Sequence, residues 1–552
     1  MKNLALLFIV LLINIVLSAQ KSSLYNTSVF FTTSDSGLQK LYNRAETLAA
    51  ENIIQYGNRK VLKEGAKYVS IWLETQPMGG YMYAKRNLEI AKNNVEIFMD
   101  YQREDGRLPG VIYNKQGVIT PNYAQFQGLY FAMPAYELYF ILNKDKTFLK
   151  RVYKSLEAFD TYLWKNRDSD KDGCLESWCI FDTGEDENVR FNGYPRAWDF
   201  EFPPTKESIS KLSKEELITR CKQKEFDSSN EMTVPIESMD VMSYSYSCRH
   251  VLSLISQELK NGKTDYWNNQ ALLVKAKIKS YLWDDKKKAC FDRDKYNKTM
   301  PILLHNNLRC MYFGSFDQNM ADNFIKYHLI NPEEFWTPMP LPSIAANDPN
   351  FENISGNNWS GQPQALTYQR AISALENYGH YAELTILGSK FLDIMDDSLK
   401  FTQQFDPFKS TINNSKDGYG PSILTTLELI GRFYGVHITQ DKIYWSCLDK
   451  EYDYNYTQNW NGNTYHLETK GKQVICSIND KILFSFSKGA RLTTDLNGNL
   501  IEIVGIDTEK KAIQYKNQKE YSVIVKPNTT YKLNDNDVFK KFKSYIYFQP
   551  LK

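Results

Sequence analysis

The arrangement of apolar residues between Leu38 and about Gly435 is the feature that most restricts what this chain can fold into. Apolar side chains recur there at helical spacing, as at Leu41, Ala45 and Leu48, and turn-forming residues separate one such segment from the next. Further predicted helices cover residues 87–101, 123–142, 149–164, 240–259, 266–283, 320–328, 365–379, 381–395 and 422–434. With loops of functional appearance after alternate helices, this mainly α pattern predicts paired helical hairpins closed into an (α/α)6 toroid.

The character of the sequence changes after His437. Short segments rich in β-branched and aromatic residues follow one another, separated by Asn, Asp, Gly or Lys turns; examples are 465–469, 473–478, 481–486 and 521–525. We therefore predict a helical domain over residues 20–437 and a small C-terminal antiparallel β-sandwich over residues 441–552. The sandwich is expected to cover one side of the toroid.

The first 19 residues have the pattern of a secretory signal peptide. Lys2 supplies a positive charge, an apolar run extends from Leu4 to Val16, and Leu17-Ser18-Ala19 offers small residues for cleavage. The apolar run is too short for a good membrane span. Export to the periplasm or the extracellular space is expected, with no membrane contact after cleavage.

Charge and cysteine spacing narrow the set of partners. The formal net charge is +2 and no basic stripe is present, which argues against a nucleic-acid partner. The eight cysteines are scattered without a C-x-x-C pair, so neither a zinc site nor another cofactor is predicted. If disulfides form after export, Cys174 and Cys179 are the first pair to check.

The stretch 181–191 gathers the chemical groups of a sugar-processing site. Four carboxylates surround a glycine and an arginine follows between apolar and aromatic residues: Asp182, Gly184, Glu185, Asp186, Glu187 and Arg190. Sugar hydrolysis uses carboxylates for proton transfer and aromatic faces for stacking on the ring. The alternative is a solvated acidic loop.

An Asp-x-Asp-x-Asp-Gly sequence begins at Asp168, just upstream of this stretch. It is similar to the first half of a calcium-binding loop, but the twelfth position is Cys179, where a bidentate Glu is needed. The pattern favours a turn built from Asp side chains over a calcium site.

Four segments in matching order resemble the six-hairpin glycosidases of the trehalase-like and mannosylglycerate-hydrolase-like types, including glycoside hydrolase family 63. Residues 182–191 are similar to the family loop Glu-Thr-Gly-x-Asp-Asn-Ser-Pro-Arg-Phe, and residues 105–112, 335–343 and 358–368 are similar to three further family segments. The resemblance spans roughly residues 70–435. It implies an (α/α)6 fold and a general acid at Asp186.

The sequence departs from the family at the position of the general base. The family's Glu-x-Tyr-Asp-Pro is replaced by Gln403-Gln-Phe-Asp406-Pro407, so an amide stands where a carboxylate should accept a proton. Ser360 also replaces a family arginine. Asp406 is the base candidate left on that loop, although a turn before Pro407 explains it equally.

Inverting glycosidases pair a protonated carboxyl with an ionised one about 6.5–9.5 Å away. The neighbouring carboxylates are expected to raise the pKa of Asp186, as a general acid requires. Its alternative role is to cap the loop or pair with Arg190. Asp199 is the second acid candidate, because Ala197-Trp198-Asp199-Phe200 resembles the Gly-Trp-Asp-Phe of trehalases.

The predicted substrate-binding residues combine aromatic, charged and amide side chains. They are Trp72, Glu74, Gln76, Arg86, Glu185, Arg190, Trp198, Trp359, Gln364 and Gln403. We expect Asp186, Trp198, Trp359 and Asp406 to converge on one pocket at one end of the toroid. Arg86 has an alternative partner in Glu89 on its own helix.

These observations predict an exported glycoside hydrolase that cleaves a glycosidic bond of a carbohydrate with inversion and needs no cofactor. The main alternative is a non-catalytic carbohydrate-binding protein on the same fold, because of Gln403. A lyase or epimerase on the same barrel is a third interpretation, and it needs His250 and His305 to face the pocket.

Overall fold

The computed structural model describes residues 27–191, 213, 235–412 and 416–550. Within them, twelve helices of seven residues or more build the N-terminal domain, in addition to a four-residue helical turn at Ile180–Thr183. In chain order these are α1 (Ser36–Glu51), α2 (Gln76–Tyr83), α3 (Leu88–Asp100), α4 (Ala132–Ile141), α5 (Lys146–Asn166), α6 (Met239–Leu259), α7 (Thr264–Lys277), α8 (Asn306–Phe313), α9 (Gln318–Phe324), α10 (Ala365–Glu376), α11 (Tyr381–Ser398) and α12 (Gly420–Tyr434). Single π-helical turns extend α7 over Ile278–Leu282 and α9 over Ile325–Leu329.

The even-numbered helices form the inner ring of a closed toroid. Each contacts the next along the chain, and α12 returns to contact α2. Odd-numbered helices pack outside them, and α1 packs against α12, so the two ends of the domain complete the sixth hairpin. The predicted (α/α)6 fold is confirmed.

Short turns join each inner helix to the following outer helix. The five turns are four residues long and cover 84–87, 142–145, 260–263, 314–317 and 377–380. Several end on a residue that caps the outer helix: Asn87 accepts the N–H of Ile90 (3.0 Å), and Asp145 accepts that of Phe148 (3.0 Å). Such caps satisfy the free N–H groups at a helix start, so the chain can reverse within four residues.

Long loops occupy the opposite end of the toroid, where each outer helix leads into the next inner one. Apart from β1 (Ser28–Thr33), which joins the C-terminal domain, these loops carry the short strands that precede α12. They are β2 (Ile53–Tyr56), β3 (Arg59–Leu62), β4 (Ile71–Trp72), β5 (Val111–Lys115), β6 (Val118–Asn122), β7 (Glu176–Ser177), β8 (Ile236–Glu237), β9 (Trp283–Asp284), β10 (Ala289–Cys290), β11 (Phe405–Asp406) and β12 (Thr411–Ile412).

The C-terminal domain consists of two antiparallel sheets. Its strands are β13 (Val436–Thr439), β14 (Lys442–Cys447), β15 (Tyr454–Trp460), β16 (Asn463–Lys470), β17 (Gln473–Ile478), β18 (Lys481–Ser487), β19 (Ala490–Asp495), β20 (Leu500–Gly505), β21 (Lys511–Lys516), β22 (Glu520–Val525), β23 (Thr529–Leu533) and β24 (Phe539–Ser544). One sheet has the order β1-β15-β16-β17-β18-β21-β22 and the other β13-β14-β19-β20-β23-β24. The predicted antiparallel β-region is confirmed.

The N-terminal strand β1 is an edge strand of this C-terminal domain. It pairs antiparallel with β15, with Phe30 opposite Thr457. Along β15 buried side chains alternate with more exposed ones, the pattern of a strand with one face on a core. The sandwich therefore contains residues from both ends of the described chain.

Two further findings concern the membrane and the cysteines. Among the described residues, no helix combines the length and the apolar character that a membrane span requires. Cys174 and Cys179, the pair singled out for a disulfide, are separate, buried thiols. The residues of the predicted signal peptide lie outside the described part of the chain.

Candidate active site

A cavity of about 200 Å³ opens at the end of the toroid where the long loops lead into the inner helices. Three carboxylates line it, those of Glu64, Glu74 and Asp186. Aromatic and amide side chains complete the wall, among them Tyr68, Trp72, Gln125, Gln127, Asn357, Trp359, Gln403 and Tyr419. The cavity therefore combines carboxylates with aromatic ring faces.

Close packing of backbone against Glu74 positions Asp186. A helical turn at Ile180–Thr183 ends on Gly184, which adopts a positive φ of 73°. A Cβ there would lie 2.3 Å from Glu74 Oε2, so only glycine fits. The following loop is tied down when the carbonyl of Asp186 accepts the N–H of Trp359 (2.9 Å).

Asn357 connects the acid position with the position of the family's base. Its Nδ2 donates to Asp186 Oδ2 (2.7 Å), and its Oδ1 accepts a hydrogen bond from Gln403 Nε2. Gln403 Oε1 in turn accepts the hydroxyl hydrogen of Tyr68 (2.8 Å). Both ends of the Gln403 amide are thus engaged, and Asn357 is a site residue that the sequence motifs did not reveal.

Glu185 and Arg190, predicted to bind substrate, instead lie beneath the cavity in a fully buried charge network. Arg190 pairs with Glu185 (2.5 Å), Asp240 (2.6 Å) and Asp292 (2.7 Å). Burial alone would raise the pKa of Glu185, but Arg190 and Arg309 hold it well below its usual range. These ionised groups fix the loop that carries the acid and do not line the cavity.

Of the three carboxylates next to Asp186 in the sequence, two are paired with arginines and do not line the cavity. Asp182 forms a buried ion pair with Arg167 (2.7 Å), Glu185 is neutralised as described above, and Glu187 is exposed. The carboxylates that face the cavity beside Asp186 come from elsewhere in the chain.

Those carboxylates are Glu64 and Glu74. Glu64 is 6% exposed, and its Oε1 accepts the hydroxyl hydrogen of Tyr419 (2.8 Å). Burial, followed by the charge of Glu74, raises the pKa of Glu64 well above its usual range. Burial also raises the pKa of Glu74, and its ion pair with Arg370 (3.1 Å) opposes that rise. Glu64 belongs to no motif; its sole sequence signal is its place in a loop that precedes an inner helix.

The structure does not bring Asp406 into the cavity. Its Oδ1 accepts the N–H groups of Phe408 (2.9 Å) and Lys409 (3.1 Å), which closes the turn around Pro407. This is the turn-forming alternative raised from the sequence. The predicted acid–base pair of Asp186 and Asp406 does not share the cavity among the described residues.

The aromatic predictions are divided. Trp72 and Trp359 line the cavity. Trp72 stands edge-on to Tyr68 (5.6 Å between ring centres), and Trp359 Nε1 donates to Asn357 Oδ1 (3.1 Å). Trp198 and Asp199 lie outside the described residues.

Arg86, predicted to bind substrate, does not line the cavity. Its guanidinium forms a two-pronged ion pair with Glu46 of α1 (2.6 Å at the shorter contact), rather than with Glu89. It follows α2, at the end of the toroid opposite the cavity.

Gln76 and Gln364 support the cavity wall from behind. Gln76 accepts the backbone N–H of Trp72 and is buried. Gln364 is also buried and donates to the carbonyl of Asn358 (3.2 Å). Each holds a loop residue in place, and neither lines the cavity.

The histidines required by a lyase or epimerase do not face this cavity. His305 is 1% exposed, hydrogen-bonded to Glu185 (2.6 Å) and Thr367 (3.0 Å). Burial lowers its pKa to about 4. His250 lies at the other end of the toroid, so neither histidine is placed to act as a base in this cavity.

The Asp168 segment forms the turn that was predicted. Asp168 Oδ1 accepts the N–H of Gly173 (3.3 Å), and Asp172 Oδ1 accepts that of Cys174 (2.7 Å). Lys277 donates to the backbone carbonyl of Asp172 (2.8 Å) and is paired with its side chain. The turn holds the start of the acidic loop.

Comparisons with known proteins agree with this geometry. The mannosylglycerate hydrolase MGH1-like glycoside hydrolase domain matches residues 81–420, more than half of the 552-residue chain. The structure is similar to GH63 mannosylglycerate hydrolase from Thermus thermophilus in complex with glucose, at 17% identity and a TM-score of 0.55, covering 70% of this chain and 99% of that one. A protein described as sialidase matches at 12% identity and a TM-score of 0.60, covering 85% of this chain and 42% of its own. A comparison with curated protein sequences finds no match.

At these identities the two structural matches support the fold, and the domain match supports the family. The matched range includes the acidic loop, Asp186, Gln403 and Trp359 of the cavity. The chain therefore belongs to the mannosylglycerate hydrolase MGH1-like family, a group of GH63-like glycoside hydrolases.

Proposed function

We propose that this protein hydrolyses a glycosidic bond with inversion, using Asp186 as general acid and Glu64 as general base. The observation that carries the proposal is that these two carboxylates line one cavity while Gln403 holds the family's base position. A pair of carboxylates on either side of the scissile bond is what inversion requires.

Asp186 is assigned as the acid from the family loop and from its surroundings. It is only partly buried, so a leaving-group oxygen can reach it. Asn357 holds one carboxylate oxygen (2.7 Å) and thereby orients the carboxyl group at the cavity wall. The backbone bond to Trp359 keeps the loop in register during the reaction.

Glu64 is assigned as the base because it approaches the neighbourhood of Gln403 from another loop. Tyr68, which binds Gln403, has its pKa raised chiefly by burial and further by the charges of Glu64 and Asp186. Both carboxylates therefore act on the same tyrosine. A carboxylate whose pKa is raised is a stronger base once ionised, which favours removal of a proton from water.

The cavity favours a single, neutral sugar unit as the part of the substrate that is bound. Its volume of about 200 Å³ is below the usual range for drug-sized ligands, so it suits one ring. Among the described residues that line it, three carry carboxylates and none is Lys or Arg. Glu74, held by Arg370, can accept sugar hydroxyl groups, and Trp72 and Trp359 offer ring faces.

The test is a panel of neutral and anionic glycosides assayed with wild type, Asp186→Asn, Glu64→Gln and Gln403→Glu. The proposal expects turnover by wild type, loss of turnover in the first two variants, and a product whose anomeric configuration, followed by NMR, is inverted. Retention of configuration, or full activity of Glu64→Gln, would contradict the mechanism.

A carbohydrate-binding protein without hydrolysis is the second candidate. The observation that favours it is the Gln403 amide, hydrogen-bonded through both its Nε2 and its Oε1, where the family has a base. In that case wild type binds sugar without turnover, and Gln403→Glu gains hydrolysis. Wild-type turnover excludes this candidate.

Export is part of the proposal. The support is the sequence pattern of residues 1–19, with its single charge, apolar run and small residues before Gln20. Mass spectrometry of the protein from its native host should find an N-terminus near residue 20 outside the cytoplasm. A mature protein that retains residues 1–19 contradicts it.

A further inference from the structure

A second and larger cavity lies at the other end of the toroid. Its volume is about 890 Å³, within the range of ligand-binding pockets. The ends of inner helices α8, α10 and α12 contribute Tyr312, Glu376 and Arg432, while strands β14 and β24 contribute Tyr444 and Lys543. The cavity is therefore enclosed by the last turns of the helices and by the β-sandwich.

Positive charge dominates the lining of this cavity. Glu376 is neutralised by two arginines, Arg432 and Arg491, the latter at 2.8 Å. Asp317 is paired with Lys279 (2.8 Å) outside the lining. The acidic side chains of the lining are thus largely compensated before its lysines are considered.

Three lysines add positive charge that no ion pair among the described residues compensates. Lys442 and Lys543 are exposed at the rim, and Lys275 is half-buried with its ammonium 5.0 Å from the ring of Tyr246. The one further carboxylate of the described lining, that of Glu137, has its pKa raised to about 7 by burial, against the opposing effect of Arg432. Near neutral pH it therefore carries only part of a charge.

Aromatic rings supply the remaining surface. Six tyrosines line the cavity: Tyr246, Tyr312, Tyr378, Tyr381, Tyr444 and Tyr545. The guanidinium of Arg491 lies between the rings of Tyr381 (4.3 Å) and Tyr444 (4.7 Å), so both rings are fixed in place. Lys543 lies 4.5 Å from the ring of Tyr545. Fixed ring faces beside cations can bind a molecule that has both C–H faces and negative charge.

We propose that this cavity is a second binding site, distinct from the active site, for an anionic saccharide whose sugar rings carry carboxylate or sulfate groups. The tyrosine faces bind the rings, and Lys275, Lys442 and Lys543 bind the anionic groups. A small inorganic anion would neither fill a cavity of this size nor stack on the six aromatic rings that line it. The inference does not depend on the proposed hydrolytic mechanism, because none of its residues lines the active-site cavity.

Calorimetric titration with a matched pair of probes tests the proposal. The anionic probe is a tetramer of β-1,4-linked glucuronic acid, and cellotetraose is its neutral counterpart. Wild type is expected to bind the acid tetramer at least about tenfold more tightly, and added salt is expected to weaken that binding. Sodium sulfate alone is expected to bind far more weakly than the tetramer.

Variants place the binding in this cavity. Lys442→Gln/Lys543→Gln should weaken binding of the acid tetramer roughly three- to tenfold, from the usual strength of partly exposed ion pairs. The matched control is Lys510→Gln/Lys540→Gln, which removes the same charge from exposed positions outside the cavity. Tyr444→Leu tests the ring faces, with thermal unfolding to show that the variants fold. Asp186→Asn should bind the tetramer as wild type does.

Four results would overturn the proposal. They are no measurable binding of the acid tetramer, equal binding of cellotetraose, equal binding of sulfate, or binding unchanged by the Lys442/Lys543 and Tyr444 variants. Loss of binding in Asp186→Asn would move the ligand to the active-site cavity and would likewise end the inference. Failure of glycoside turnover, by contrast, affects only the proposed hydrolysis.

Discussion

The two ends of the toroid differ in chain geometry and in chemistry. At one end, long loops lead into the inner helices and carry Glu64, Glu74 and Asp186 into a small acidic cavity. At the other, four-residue turns leave the helices and the β-sandwich closes over a large cavity lined by tyrosine and basic side chains. Length of connection therefore separates the two surfaces: long loops can bring distant side chains together, whereas short turns expose the helix ends themselves.

Buried arginines form ion pairs at both ends of the toroid. The two ends differ in how many of the buried carboxylates have a second cation. Arg190 is the cation that pairs with Asp292 beneath the active-site cavity, with Glu185 and Asp240 as its other partners. Arg432 at the far end pairs with Glu376 and Glu428, each of which has a second cation. Glu185 and Asp240 also have a second cation, Arg309, but among the described residues Asp292 pairs with Arg190 alone. The acid-bearing end depends on a single side chain at that one carboxylate.

The largest expected effect separates the two ends by function. Asp186→Asn should lower kcat about 10²–10⁴-fold, the usual contribution of a general acid, while leaving the far cavity untouched. Steady-state kinetics on a hydrolysed glycoside measure it, with titration of the glucuronic acid tetramer on the same sample as control. A variant that keeps more than a tenth of wild-type kcat would place the acid elsewhere.

The next effect compares the arginines at the two ends. Arg190→Met should destabilise the protein by about 3–5 kcal/mol, because the buried Asp292 carboxylate then has no ion-pair partner among the described residues. Glu185 and Asp240 keep Arg309. Arg432→Met should cost less, about 1–3 kcal/mol, since Glu376 keeps Arg491 and Glu428 keeps Lys85.

Denaturant unfolding measures both variants, and kcat is the readout that distinguishes them. We expect kcat to fall in Arg190→Met, because the loop that carries Asp186 loses its support, and to stay within about twofold of wild type in Arg432→Met. Equal costs with equal kcat losses would show that the two ends are not energetically distinct.

Much of this architecture follows from sequence patterns, and the exceptions have physical causes. Ten of the twelve helices match a helix predicted from the sequence; α2 and α8 do not. In α2 a Cβ at Gly79 would lie 2.9 Å from Leu424, and one at Gly80 2.7 Å from Asn94, so close packing requires the glycines that hide the helical pattern.

The helix predicted at 123–142 begins only at Ala132, because the residues before it form hydrogen bonds with another part of the chain. Backbone N–H groups of the preceding residues bond to the acidic loop: Phe126 to the Asp182 carboxylate (3.0 Å), Gln127 to the Phe181 carbonyl (2.8 Å) and Gly128 to the Asp182 carbonyl (3.0 Å). Tertiary hydrogen bonds thus replace helical ones, and the segment becomes part of the cavity wall. No local sequence pattern predicts these long-range hydrogen bonds, and none predicts that Glu64 lines the cavity.

A smaller effect concerns the free energy that the protein loses by burying the Glu64 carboxylate beside Glu74. Glu64→Gln should stabilise the folded protein near neutral pH, on the order of 1 kcal/mol, because the amide removes a charge that is unfavourable beside Glu74 and still accepts the Tyr419 hydrogen bond. The pKa of Glu64 is raised in the folded state. Above the ordinary glutamate pKa of 4.5 the unfolded chain therefore ionises first, and wild type loses stability as pH rises.

The gain from Glu64→Gln should accordingly vanish below that ordinary pKa and grow as pH increases. Thermal unfolding of both proteins across a pH series measures it. The matched control is Glu258→Gln. The Glu258 carboxylate lies outside the active-site cavity and, like that of Glu64, accepts a tyrosine hydroxyl hydrogen, from Tyr139 (3.3 Å). A constant difference at every pH would show that Glu64 has no raised pKa.

The smallest expected effect distinguishes between Glu64 and Asp406 as the general base. Asp406→Asn should change kcat by less than about twofold, because Asp406 does not line the cavity and its Oδ1 only closes a turn. An asparagine oxygen can accept the same N–H groups of Phe408 and Lys409, so stability should fall by no more than about 1 kcal/mol, the difference between a charged and a neutral acceptor. Kinetics and unfolding of Asp406→Asn beside Glu64→Gln give the comparison directly.

A fall in kcat of a hundredfold or more in Asp406→Asn, with activity retained in Glu64→Gln, would show that the general base lies on the family's own loop. It would also mean that this loop rearranges when substrate binds, since the turn must open before Asp406 can reach a water in the cavity.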